Sequence, residues 1–166
     1  MKKSSRHSKI TGDFSEAIVL YWLSKHGYEC AKIDHTGIDL IARPSSSTDV
    51  WGISVKSRSR YVGTEGISIT IPIDGFKKAE LACRAFKCIP FYAIVVDGGS
   101  KVHCFVMSLD VLKEHVTGGG DENRYWNMSQ KYLDQYGEDT RIMRFQLNLE
   151  HCSWEGQKFA GVELME

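Results

Sequence analysis

Two short stretches hold the residues best suited to chemistry. One is Gly37-Ile38-Asp39-Leu40-Ile41-Ala42 and the other is Trp51-Gly52-Ile53-Ser54-Val55-Lys56-Ser57-Arg58. The first sets Asp39, and the second Lys56, in an apolar, β-branched run. Strands disfavour Asp, and local misfits of this kind tend to mark function. A third charge, Glu16, stands upstream in a helix-like stretch. Carboxylate oxygens with water suit a hard cation such as Mg²⁺, which keeps several waters and takes one or two carboxylates. Such an ion polarises a phosphoryl oxygen and lowers the pKa of a bound water. A lysine beside it holds that water or neutralises charge developing on the phosphate. These are the parts needed for phosphodiester hydrolysis. Spacing alone leaves plainer readings open. Glu16 stands three residues after Asp13, where a capping-box acid belongs, and Asp39 with Lys56 would make an ordinary surface ion pair worth little stability.

The elements that must position these residues follow from periodicity. The two runs, separated by Arg43-Pro44-Ser45-Ser46-Ser47-Thr48-Asp49, read as strands joined by a loop. A register symmetric about that loop sets Asp39 opposite Lys56, about 5 Å apart at Cβ. Alternation puts Ile38, Leu40 and Ala42 on one face with Asp39 on the other, and Ser54 with Lys56 opposite Ile53 and Val55. Upstream, Asp13 to His26 reads as a helix capped by Asp13, with Phe14, Ala17, Ile18, Tyr21 and Trp22 as its core stripe. Tyr28 to Ile33 reads as the first strand. Downstream, Gly66 to Pro72 alternates like an edge strand. Asp74 is placed to cap a helix from Phe76 to Lys87, and Phe91 to Val96 reads as a strand buried on both faces. Val102 to Met107 is its hairpin partner, and Ser108 caps a short helix to His115. Tyr125 to Tyr136 reads as helical and Ile142 to Leu149 as a strand. The order predicts an α/β domain with a mixed central sheet covered by helices. Trp126 and Trp154 are expected in the core or an interface.

Composition narrows the class. The 166 residues suffice for one domain, with residues 1–11 a basic mobile arm and 121–166 a C-terminal elaboration. No apolar run nears the ~20 residues of a membrane span, and no signal-peptide core follows the basic start. A cytoplasmic protein is expected. Five cysteines without a CxxC pair fit reduced thiols better than a disulfide framework or zinc knuckle. Net charge is zero, but residues 1–60 carry 10 Lys/Arg against 6 Asp/Glu, while residues 121–166 carry 5 against 9. The basic third, which holds both central strands, is the part suited to meet phosphates. Arg58 and Arg60 are the expected phosphate contacts, with Lys2, Lys3, Arg6 and Lys9 as a flexible basic arm. No base-reading helix is evident, so no sequence specificity is expected.

Gly12-x-x-x-Glu16, Gly37-Ile38-Asp39-Leu40-Ile41-Ala42 and Ile53-Ser54-Val55-Lys56-Ser57-Arg58 together resemble the PD-(D/E)XK nuclease superfamily. They are most similar to the branch of archaeal Holliday junction resolvases and Mrr-like restriction endonucleases. The resemblance covers roughly residues 12–107. It implies a restriction-endonuclease-like fold and an endonuclease dependent on Mg²⁺ or Mn²⁺. DNA, branched or otherwise structured, is the implied substrate, RNA stays open, and the implied assembly is a homodimer. Asp39 matches the metal-binding aspartate, Glu16 the helix acid and Lys56 the catalytic lysine. Ser54 departs from the pattern, which has Asp, Glu or Gln two residues before the lysine. One subgroup of similar restriction enzymes has Ser-Val-Lys and supplies the missing acid from the next helix. Glu80 is the matching candidate here, with Asp74 and Glu65 as second choices. A nuclease fold that binds nucleic acid without cutting it is the alternative, and a purely structural protein the third.

Overall fold

The computed structural model describes residues 6–61, 63–118 and 120–149. Its elements run α1 (His7–Lys25), β1 (Tyr28–His35), β2 (Ile38–Pro44), β3 (Trp51–Ser59), β4 (Ile69–Pro72), α2 (Ile73–Phe86), β5 (Ile89–Asp97), β6 (Lys101–Ser108), α3 (Leu109–His115), β7 (Asn123–Trp126), α4 (Gln130–Glu138) and β8 (Met143–Asn148). Six strands form one sheet in the order β1-β2-β3-β5-β6-β8, and β4 pairs with β7 in a second, two-stranded sheet. Among the described residues only β3 and β5 pair in parallel, with α2 in the crossover between them.

The sheet buries both faces. On one side α1 sets Val19 and Leu23 against Leu40, Ala42, Ile53, Ala93, Val95 and Val106. On the other, α2, α3 and α4 pack Phe76, Leu112 and Tyr136 against Tyr92, Ile94, Phe105 and Trp126. β5 alternates between the two cores, as its near-continuous apolar sequence predicts. Ser108 caps α3 through the Val111 N–H. No helix of the described residues is long and apolar enough to cross a membrane.

Several expectations need correction. α1 begins at His7 with Arg6 as its N-cap, so Asp13 lies inside the helix and caps nothing. Its buried face is Ser15, Val19 and Leu23, while Phe14 and Tyr21 are 45% and 63% exposed. The helix thus starts earlier than expected and its buried face is rotated, although Ile18 and Trp22 of the expected stripe still pack at the edge of that core. Asp74 makes no cap bond to α2; it pairs with Lys78 one turn on. Tyr125 and Trp126 belong to β7, which pairs with β4, and helix α4 starts only at Gln130. Trp126 is buried as expected; Trp154 lies outside the described residues.

The central hairpin also departs from the symmetric register. Leu40 pairs with Ile53 and Ala42 with Trp51, so Lys56 is not opposite Asp39. A bulge in the β1–β2 ladder sits at the same place, where the register shifts between Lys32 and His35. It breaks the alternation, and Ile38 packs under α2 with Ala82 and Cys83 while Leu40 and Ala42 face α1. Bulges of this kind re-aim side chains next to functional sites.

Candidate active site

The irregular end of β2 sets the Asp39 carboxylate against the β3 backbone. Its Oδ2 accepts the Val55 N–H at 2.6 Å. No hydrogen bond to Oδ1 is seen among the described residues. Half-buried Asp39 has its pKa raised, chiefly by burial, against the lowering pull of the Val55 N–H and of Lys56. Lys56 is shifted the opposite way from its ordinary value, down, again chiefly by burial and against the pull of Asp39. Its ammonium donates to Ser54 Oγ at 2.9 Å and stands 5.8 Å from the centre of the Tyr92 ring. The surface ion pair that spacing left open does not form: no Asp39–Lys56 contact falls within ion-pair range. Asp39 and Lys56 thus both lose hydration without neutralising each other by contact, an arrangement that proton or charge chemistry uses.

Glu16 reaches this site from α1. It lies mid-helix, which removes the capping-box reading, and its charge is felt by Asp39. Its Oε2 pairs with Lys32 of β1 at 2.7 Å, and Asp13 stands 3.7 Å from the same ammonium. Glu80 projects from α2 and pairs with Lys113 of α3 at 2.7 Å. Among the described residues no three acidic, histidine or cysteine side chains form a ready cation cluster. Asp39 thus feels the charges of Lys56 and Glu16, Glu16 itself is paired with Lys32, and Glu80 is held on an outer partner. Of the second choices, Asp74 is bound to Lys78 and Glu65 accepts the Gly63 N–H in a turn. Two carboxylates with hard oxygen donors, one with a free oxygen, fit what Mg²⁺ or Mn²⁺ takes from a protein when water completes the shell.

Glycine lets α2 close over the site. Gly37 has φ +106°, and a Cβ there would overlap the Lys78 carbonyl, 2.6 Å from its carbon and 3.0 Å from Ala79 N. Beneath the first turn of α2 lies Tyr92, in register with Ser54 across the β3–β5 pair. The Tyr92 hydroxyl is buried, with the Ser54 hydroxyl as its polar neighbour, and burial first of all pushes its pKa up. Sequence reasoning missed Tyr92, Lys32 and Lys113. The available signal for Tyr92 was a phenol inside a run apolar on both faces; for the two lysines there was none, since their partners lie on distant elements.

The expected phosphate contacts divide. Arg58 is exposed, with Nη1 on the Ser57 carbonyl at 2.7 Å. It lines a cleft of about 190 Å³ with His7, Thr11 and Phe14, which sets the start of α1 beside it. Arg60 instead spends its Nη2 on the carbonyls of Ile67 and Ser68, at 2.8 and 2.9 Å, tying the loop before β4 to the end of β3. Arg6 and Lys9 are exposed at the start of α1, so Lys9 rides on a helix rather than a mobile arm. Lys2 and Lys3 lie outside the described residues.

No protein-family model matches the chain, and no curated protein matches it in sequence. Among solved structures it is similar to the 1.6 Å structure of Archaeoglobus fulgidus Hjc, a Holliday junction resolvase from an archaeal hyperthermophile. The TM-score is 0.51 at 12% identity, over 72% of this chain and 91% of that one. The fold is restriction-endonuclease-like. This agrees with the architecture expected from the motifs. The identity is too low to carry residue roles, so those rest on the geometry above.

Proposed function

We propose that this protein is a metal-dependent endonuclease that hydrolyses phosphodiester bonds in branched or otherwise structured DNA. The observation that carries the reading is the desolvated Asp39–Lys56 pair, joined by Glu16, in a fold shared with a resolvase. Asp39 and Glu16 would hold Mg²⁺ or Mn²⁺, with Glu80 as third acid. When bound, the cation supplies an acidified water and a polarised phosphoryl oxygen. The Val55 N–H fixes Asp39 and leaves its Oδ1 for the ligand. Lys56, steered by Ser54, donates to the attacking water or to a phosphate oxygen, and its partial burial strengthens that contact. Arg58 and the start of α1 meet the DNA backbone, and a homodimer would allow paired cuts.

A second reading has its own support: Ser54 replaces the usual acid, and Glu80 is bound to Lys113. A nuclease fold with that gap binds DNA without cutting it. Incubating the protein with a synthetic four-way junction and a matched duplex, with Mg²⁺ or Mn²⁺, separates the two. Cutting by the wild type, lost in Asp39→Asn and Lys56→Met with binding retained, supports the nuclease. Binding without cutting by any variant supports the second reading.

A further inference from the structure

Two thiols meet where α2 ends. Cys83 is buried in the last turns of that helix, and half-buried Cys88 stands just before β5. The helix closes in a Schellman motif. Lys87 takes φ 54°, its N–H donates to the Arg84 carbonyl at 3.4 Å, and the Cys88 N–H donates back to the Cys83 carbonyl at 2.9 Å. Such a motif brings the side chains at its two ends into contact. Here both sulfurs close on Gly52 of β3. A Cβ built on Gly52 would stand 2.6 Å from Cys83 Sγ and 2.6 Å from Cys88 Sγ, so the sulfurs are no further apart than twice that distance. Glycine in the strand is what admits them so close to the backbone. The Cys83 thiol donates to the Gly52 carbonyl at 3.7 Å. Burial first, and then Cys88, pushes the Cys83 pKa up. A cleft of about 300 Å³ opens on both cysteines. Arg84, Lys87 and Pro90 line it too, with Glu80, whose carboxylate is held by Lys113. Packing alone asks only for small apolar side chains at such a helix end; it does not account for a cleft that leads to two sulfurs.

We propose that Cys83 and Cys88 are a reversible dithiol–disulfide pair, oxidised by small disulfides of the glutathione class. Cys88, the more exposed of the two, gives its proton to solvent and attacks first. As its bond to one sulfur of the small disulfide forms, the bond between the two small-molecule sulfurs breaks and one thiolate leaves. Cys83 then loses its proton and attacks the Cys88 sulfur. The Cys83–Cys88 bond forms, and the second small thiolate leaves. The protein gives up two electrons and two protons, and the small disulfide becomes two thiols. The raised pKa of Cys83 makes the second step the slower one. Arg84 and Lys87 at the cleft draw in an anionic disulfide. The bond ties the end of α2 to the entry of β5. The proposal stands apart from the nuclease reading, since it uses no atom of Asp39, Glu16 or Lys56.

Peptide mapping of the full chain tests this. The reduced protein is incubated in native buffer with glutathione disulfide and quenched in acid, and its remaining thiols are alkylated under denaturant. Trypsin cuts after Lys78, Arg84, Lys87 and Lys101, so a bond between the two cysteines joins peptides 79–84 and 88–101. The expected result is that joined pair in the mass spectrum, with alkylation lost at Cys83 and Cys88 together and restored by dithiothreitol. Cys83→Ser should instead trap glutathione on Cys88, and Cys88→Ser should leave Cys83 alkylated. The wild-type map decides even where a variant fails to fold. Both thiols still alkylated after native incubation would overturn the proposal. So would glutathione held on Cys88 without the joined peptides, Cys83 joined to a different cysteine, or a joined pair that forms only in urea.

Discussion

Replacing Gly37 with alanine tests the claim that backbone contact between α2 and the start of β2 shapes the site. A side chain at φ +106° meets the steric penalty of left-handed backbone, about 1–2 kcal/mol. The added Cβ also overlaps the Lys78 carbonyl, and the neighbour is helix backbone rather than the end of a flexible side chain. Forcing α2 away is an overpacking cost of about 1–3 kcal/mol. Together Gly37→Ala should cost about 2–5 kcal/mol, which lowers Tm by roughly 5–15 °C in a chain of this size. Gly12→Ala is the matched control. Gly12 lies within α1 with nothing inside 4 Å of its built Cβ. That change should stabilise by about 0.5–1 kcal/mol through helix propensity. Calorimetric melts of the two variants beside the wild type measure both. A Gly37→Ala melt within a degree of wild type, or equal shifts for the two, would refute the close packing of α2 over the site.

Two further outcomes are expected. Arg58→Ala should weaken DNA binding and reduce the salt slope by about 1 while leaving Tm near wild type. Arg60→Ala should destabilise by about 1–3 kcal/mol, because it strips the Ile67 and Ser68 carbonyls of a charged donor; the reverse pattern in melts and binding isotherms would contradict the division of roles. Asp139 is held well below the usual carboxylate range, first by Arg141 and then by His115. A depressed acid stabilises the fold fully above its unfolded pKa of about 4 and loses that contribution as pH falls below it. Urea melts should therefore show a loss below about pH 4 that is smaller in Asp139→Asn, and equal losses in both would dismiss the pair.

The sequence carried the strands of the site well and their alignment poorly. β2, β3 and β5 are legible because apolar alternation and β-branched residues are local signals, and Ser108 announces α3 the same way. The Leu40–Ile53 register is set instead by the β1–β2 bulge and by Gly37 under α2, contacts between residues far apart in the chain. The same holds for the strand at Trp126: its burial was expected, but its place in β7 comes from pairing with Ile69 on β4, which no window around residue 126 contains. α1 was misread at its start because Arg6 gives no capping signal, while Asp13 and Glu16 imitate one. Asp39 and Lys56 are legible as charges inside apolar strands and Glu16 through the motif resemblance, whereas the place of Tyr92 beside Ser54 comes from the β3–β5 pairing.

Conversion of supercoiled plasmid to nicked and linear forms in Mg²⁺ or Mn²⁺, by wild type and by Asp39→Asn matched for DNA binding, tests the central claim most directly. The account predicts metal-dependent cutting by the wild type and none by Asp39→Asn. Equal cutting by both would contradict it, because Asp39 would then have no part in the chemistry.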